Sequence, residues 1–377
     1  GINKYLKTVS TGAEITVDSQ ALTSFNSNGF TIGTSTAVNE SPDNFTSWTF
    51  RKAPRFFDVV TYTGDGNDNR VIPHDLGVRY GTVFVKRTDT TSNWFVYHKQ
   101  NDFGYNNCHY QYLNTVDAKA YATMPFQTSI GNNDNDNTAN FIVRTPANVS
   151  GGTYVAYLFA HDPNGEDNDG MIACGSFSFS GPLYSVNIGW EPQYVMVKRT
   201  DSTGDWKIWD KMRGFHVGSD NRELRANDST TESGGGRNSL SSTGFFEYDA
   251  GQLPDGDYIY MAIRAPMMKE PEAGTEVFAI DTATATLPSF TAGFEPDMAI
   301  MRNIGSAGSN NIYSRLTGTD KMYTDSTASA GTYAATVWDY MDGYSSVNVL
   351  LTSMYSYMWK RAKGFFDVVA YTGNGTA

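Results

Sequence analysis

Apolar and polar residues alternate along this chain with a period of two, and the alternation returns again and again. Thr82-Val83-Phe84-Val85-Lys86-Arg87 and Tyr194-Val195-Met196-Val197-Lys198-Arg199 read as strong strands. Each runs through a Ser/Thr/Asp/Gly turn into an aromatic strand, Trp94-Phe95-Val96-Tyr97 and Trp206-Lys207-Ile208-Trp209. Strand, polar turn and aromatic strand together predict a β-hairpin. A weaker version joins Met298-Ala299-Ile300-Met301-Arg302 to Asn311-Ile312-Tyr313. No stretch longer than a turn carries the 3.6-residue period of an amphipathic helix.

The hairpins belong to a larger repeat. FFDVV-x-YTG occurs at 56–64 and again 309 residues on, at 365–373. VKRTDTTSNW at 85–94 returns as VKRTDSTGDW at 197–206, 112 residues on. The chain therefore reads as a series of related units. Residues 1–54 form the back half of a preceding unit, 55–168 a first full unit and 169–272 a second. Residues 273–364 form a third, divergent unit, and 365–377 the opening strand of a further one. The back halves carry Tyr5-Leu6-Lys7-Thr8 and Tyr112-Leu113-Asn114-Thr115, and close on elements such as Trp48-Thr49-Phe50-Arg51 and Met358-Trp359-Lys360-Arg361. A start in mid-unit reads as a fragment of something longer. The expected fold is all-β, with tandem jelly-roll-like β-sandwich units of about 100–110 residues. Propeller blades run only about 40–50 residues, which disfavours a propeller. The linkers at 162–170 and 267–274 are short, so packed neighbours in a rod or ring are expected. The span from Phe57 to Ala160 is expected to fold alone.

Composition narrows the function. Charged residues make up 18%, below the usual ~25%, and aromatics 14%, as suits short strands around aromatic cores. The formal charge of −12 argues against nucleic acid and anionic membrane surfaces. No run of eighteen apolar residues and no signal peptide stands out, so no membrane insertion is expected. Cys108 and Cys174 fall in different units without a CxxC, so buried core rather than disulfides must supply stability.

Candidate chemistry is sparse. His74, His98, His109, His161 and His216 form no HExxH, HxH or His/Cys cluster, so they read as structural rather than as zinc ligands. No GxSxG occurs. No catalytic, cofactor-binding or metal residue is assigned, and the ligand-binding residues are unknown; the chain reads as non-enzymatic. Three acidic loops, at Asp65 (65–69), Asn132 (132–137) and Asp162 (162–170), are oxygen-rich as calcium loops are. They miss the D-x-[DN]-x-[DN]-G-x5-E pattern and read as solvated turns. Trp94, Trp206, Trp209 and Tyr97 have the chemistry to stack on sugars, but recurrence at one place in the unit favours core packing. Lys86-Arg87 and Lys198-Arg199 are read as pairing with acidic turns or touching the next subunit.

Taken together, residues 57–64, His74-Asp75-Leu76-Gly77, Val85-Lys86-Arg87-Thr88, 94–98, Tyr112-Leu113-Asn114 and Tyr157-Leu158-Phe159-Ala160 resemble a repeat of virion appendage and tail-fibre-like proteins of marine bacteriophages. The first unit matches nearly all of that pattern. The second keeps VKRT and the Trp but carries Gly175-Ser176-Phe177-Ser178-Phe179 in place of FDVV, and the third has Met301-Arg302-Asn303 in place of VKRT. The resemblance implies a structural component of a virion appendage in an extracellular particle, displaying β domains for host-surface contact. It implies homo-oligomers, as trimers or rings, and contacts with other virion proteins. Two alternatives stay open: a bacterial adhesin or lectin-like glycan-binding array, and a polysaccharide hydrolase with carboxylates ~5–9 Å apart.

Overall fold

The computed structural model describes the chain except residues 1, 3, 17–19, 103–107, 122–124, 128–137, 166–167, 182, 217–220, 237, 249–252, 333–335, 347–352 and 371–377. The acidic loop at 132–137 lies outside the described residues. Strands dominate. The leading segment makes two small hairpins, β1 (Lys4–Tyr5) with β2 (Ile15–Thr16) and β3 (Leu22–Asn26) with β4 (Gly29–Ile32). One turn of helix, α1 (Thr36–Asn39), follows.

In the first unit, β5 (Phe57–Thr63), β7 (Tyr80–Arg87), β8 (Trp94–Asp102), β9 (Cys108–Tyr112) and β12 (Thr153–Ala160) form an antiparallel sheet in the order β5-β12-β7-β8-β9. β6 (Arg70–Pro73), β10 (Phe126–Gln127) and β11 (Asn140–Val143) form a smaller sheet, β10-β11-β6. The second unit uses β13 (Ile172–Phe179), β14 (Leu183–Asn187), β15 (Pro192–Arg199), β16 (Trp206–Asp210), β17 (Asn221–Arg225), β18 (Ser233–Gly236), β19 (Asn238–Ser241), β20 (Gly244–Tyr248) and β21 (Gly256–Arg264). Its sheets run β13-β21-β15-β16-β17-β18 and β14-β20-β19. The third uses β22 (Phe278–Thr282), β23 (Phe290–Thr291), β24 (Met298–Asn303), β25 (Asn311–Ser314), β26 (Asp320–Tyr323), β27 (Gly331–Thr332), β28 (Thr336–Val337), β29 (Gly343–Ser346) and β30 (Met354–Trp359). Its sheets run β22-β30-β24-β25-β26-β27 and β23-β29-β28.

All three units follow one plan. The first strand pairs with the last, and the second with the next-to-last in the smaller sheet. This nesting wraps two sheets into a sandwich, and the fold is all-β with sandwich-like units. Alternation decides which side chains face inward. Val83 and Val85 of β7 share a face with Leu158, Tyr97 and Tyr62. Tyr62 stacks on Tyr154 at 5.0 Å and meets Phe141 of the smaller sheet edge-on.

The opposite faces are buried too. Phe84, Val96 and Phe159, on the outward face of the first unit's larger sheet, belong to one continuous cluster with Cys174, Met196, Trp206, Ile208 and Met261 of the second unit. Phe84 meets Trp206 edge-on at 6.4 Å. The approach is close enough that a Cβ on Gly81 would lie 2.5 Å from the Cys174 sulfur. The first two units therefore share an interior, and the span 57–160 alone leaves one face of its larger sheet uncovered. The third unit has its own core, around Phe290, Tyr313, Trp338, Tyr344 and Met358.

The closing element at 48–54 forms no strand, and the strand expected at 365–377 does not form over its described residues. Residues 48–54 lack regular strand structure, yet Phe50 packs on Phe57 and Phe159 at 5.5 and 5.2 Å. Residues 367–370 also carry no strand, although 362–366 repeat the turn of 53–57. In the first unit the equivalent strand β5 is laddered to β12, and no described segment offers 367–370 such a partner.

Candidate functional site

The recurring VKRTDxTxxW hairpin is the joint between units. Lys86 and Lys198 are the next-to-last residues of strands β7 and β15 and lie on the outward face, fully buried. The Lys86 ammonium donates to the carbonyl of Thr11 at 3.1 Å, and Lys198 to that of Val116 at 3.0 Å. The Trp94 indole N–H donates to the Lys7 carbonyl at 3.0 Å, and that of Trp206 to the Tyr112 carbonyl at 2.9 Å. The main chain repeats the match. Ser92 N–H donates to Thr11 O and Glu14 N–H to Thr88 O; Gly204 N–H donates to Val116 O and Lys119 N–H to Thr200 O. Each of these four bonds between the leading segment and the first unit has its counterpart between the first unit and the second.

Each hairpin is held in shape within its own unit. Arg87 grips Asp89 with two bonds, and Arg199 grips Asp201. Asn114 Oδ1 accepts from Trp94 N–H, and Asn227 Oδ1 from Trp206 N–H. Burial pushes both lysines down to about 8, against the opposing pull of Asp89 on Lys86 and of Asp117 and Asp205 on Lys198. The arginines thus pair with acidic turns as the sequence suggests, while the lysines reach the preceding part of the same chain. Trp94 and Trp206 are buried, so neither offers a face to a sugar. Trp209 and Tyr97 are buried inside their sandwiches.

The histidines fall into the same pattern. His98 is buried at the contact of the first two units, with Nε2 bonded to Tyr260 O at 3.0 Å and Nδ1 accepting from Gln100 N–H. The carbonyl fixes the Nε2–H tautomer, and burial pushes its pKa down to about 3. His161 Nδ1 accepts from Cys174 N–H, and burial pushes it to about 4. The Cys174 thiol, also buried there, is pushed up to about 12. His74 accepts from Leu76 N–H in its turn, and His216 lies against Gly318 of the third unit. His109 stands beside Tyr121. Among the described residues no group of three or more His, Cys, Asp or Glu is placed to hold a metal. The Asp65 loop is tied down by Asn148, which donates to Asp65 Oδ1 and Asn67 O. Asp162 and Asp169 receive Arg55, a residue whose backbone takes a left-handed φ of 62° where the repeat at 364 has glycine.

The second and third units meet differently. Arg361 makes two bonds to Glu191 and an ion pair to Asp297, and Lys211 joins Glu191 at 2.7 Å. Beside this network the leading segment, second unit and third unit enclose a groove of about 580 Å³, with Trp48, Phe50, Tyr194 and Met268 in its wall. Five carboxylates line it: Asp210, Glu295 and Asp297 are engaged by Arg213, Arg315 and Arg361, and Glu270 and Glu276 stand beside them. Sequence reading missed the groove because no single unit builds it.

Residues 1–266 match the model of a domain of unknown function, DUF7483. The chain belongs to the DUF7483 family. No curated protein and no solved structure matches it. The DUF7483 match covers the leading segment and the first two units, which are the parts joined by the repeated clasp, and stops at Pro266 before the ion-paired third unit. Among the described residues no helix is long and apolar enough to cross a membrane.

Proposed function

We propose that this DUF7483 protein is a structural component of a bacteriophage virion appendage, such as a tail fibre, that holds repeated β domains in fixed register for contact with a host surface. One observation carries the reading. Of the side chains most alike between the first and second units, the Lys and Trp make the joints and the Arg-Asp pair braces the hairpin that carries them, and none of them forms a pocket. A chain that repeats its joints repeats its spacing, which suits a display scaffold in which weak contacts multiply into avidity. The sharing of one core between units gives the stiffness an appendage needs. The reading is non-enzymatic. A glycan-binding array would need open aromatic platforms, and the recurring tryptophans are spent inside the joints.

The test is mass spectrometry of purified particles from the genome that encodes the chain, with gold-labelled antibody against the recombinant protein. Label on an appendage is the expected result. Absence of the chain from the particles would overturn the proposal.

A further inference from the structure

The larger sheet of every unit has one face toward its own smaller sheet and one face outward. In the second unit the register aligns Cys174, Met261, Met196 and Ile208 in a row across the outward face, and all four are buried. What covers them is another outward face, that of the first unit. In the third unit the same register aligns Ile280, Tyr357, Ile300, Ile312 and Met322 across β22, β30, β24, β25 and β26. This row is open: Ile280 is 55% exposed, and Tyr357 and Met322 are each 39% exposed.

We propose that the outward face of the third unit docks on the same face of a second copy of this chain, forming a two-fold dimer. Three observations select that occupant. The chain already pairs this kind of face with its own kind, outward face on outward face, between the first and second units. The third unit has exchanged the clasp for Met301-Arg302-Asn303, with Arg302 exposed, so the intrachain device that seats such a face on its predecessor is missing there. The row itself is apolar from end to end, and a flat apolar row is complementary to its own copy about a two-fold axis through its middle strand, β24. Contiguous apolar patches of this sort mark interaction sites. The inference adds a partner to the structural reading but does not depend on a virion setting. The dimer is measured on the purified chain, so its failure is distinct from absence from particles.

Sedimentation of the full chain over a range up to about 100 μM is expected to show a monomer–dimer equilibrium with a micromolar constant, since a single row is smaller than the roughly 20–30 residues a side of a standard interface. Tyr357→Asp, next to Ile280 at one end of the row, and Met322→Glu, at the other end, should each shift the equilibrium to monomer by at least tenfold. Both should keep the far-ultraviolet spectrum and melting behaviour of the parent chain. Phe25→Asp, at an exposed residue of the leading hairpin, should leave the dimer unchanged. Ile300→Cys, at the middle of the row, should give a covalent dimer on mild oxidation. A parent chain that stays monomeric throughout overturns the proposal. So does a dimer that survives both charge substitutions, or a trimer in its place.

Discussion

If the first two units share one interior, Phe84 and Trp206 must be energetically coupled, although each belongs to a different sandwich. Their rings lie 6.4 Å apart at 79°, and both are buried. Truncating either to alanine should cost about 3–5 kcal/mol, the usual loss for a large aromatic in a core. Part of each loss is the same loss, because each single variant already empties one side of the contact. The edge-to-face pair is worth about 0.5–1.5 kcal/mol beyond burial, and the cavities left by the two truncations merge. A coupling of about 1–2 kcal/mol is therefore expected between Phe84→Ala and Trp206→Ala. Urea unfolding of the full chain, followed by far-ultraviolet ellipticity, supplies the four free energies. Trp206→Phe is a milder third arm. It keeps most of the ring but removes the donor to the Tyr112 carbonyl, costing about 1–3 kcal/mol if that carbonyl is left unpaired. Losses that add to within ~0.3–0.5 kcal/mol would show that the units are independent beads and that the joint carries no energy.

Three other outcomes follow from the same geometry. Gly81→Ala should destabilise by about 1–3 kcal/mol through overpacking against Cys174; Cys174→Gly should restore part of that loss while Cys174→Ala should not, because the Cys174 Cβ itself would stand 2.6 Å away. Lys86→Met should change stability at pH 7 by less than about 1 kcal/mol, since the buried cation has only carbonyl partners, and a loss above about 3 kcal/mol would mean that an ion pair had been broken. In the parent chain the folded lysines titrate near 8, below the ordinary 10.5, so stability should rise from pH 8 to 10.5, and Lys86→Met should remove part of that rise on a urea titration. His98 is neutral in the fold down to about 3, whereas an unfolded histidine takes up its proton near 6.5. Stability should thus fall by up to about 1.4 kcal/mol per unit as pH drops from 6.5 toward 3. His161 adds to the fall down to about 4, and an acid midpoint unmoved in His98→Gln would refute the assignment.

The strands, the hairpins and the repeat were legible because alternation and motif recurrence are written in side chains. The joint was not, for a physical reason. Its donors, Lys86, Trp94, Lys198 and Trp206, are side chains that recur, but its acceptors are main-chain carbonyls of Lys7, Thr11, Tyr112 and Val116, whose side chains have nothing in common. The tryptophans read as core residues, which describes the ring and misses the indole N–H. A hint of the shared interior was present in the continuous apolar runs Val83-Phe84-Val85 and Val195-Met196-Val197, since a strand with one wet face alternates and a strand buried on both faces does not. The lack of a strand at 367–370, and in the closing element at 48–54, was illegible for the opposite reason. Their sequences have strand character, but a ladder is a property of two segments, and one alone cannot declare it.

The third unit shows what the recurring motif is for by lacking it. Its sandwich is complete, with the same nesting of strands and a core of its own, so the Lys-Arg-Thr-Asp…Trp pattern is not needed to fold the module. Where the pattern is present, a buried outward face is seated on a neighbour; where it is absent, the outward face is open and the neighbour is reached through ion pairs of Arg361 and through Leu316, which joins the second unit's core. The first joint is apolar and backed by main-chain bonds, with little for salt to screen. The second adds a network of charges beside a groove, but their side chains are only 9–15% exposed, so salt screens them weakly too. One module has thus been used two ways: twice as a rigid link in a continuous core, and once as a separately cored unit with its apolar face open to solvent. That division coincides with the end of the family match at Pro266, so the boundary between the two uses is marked in sequence as well as in packing.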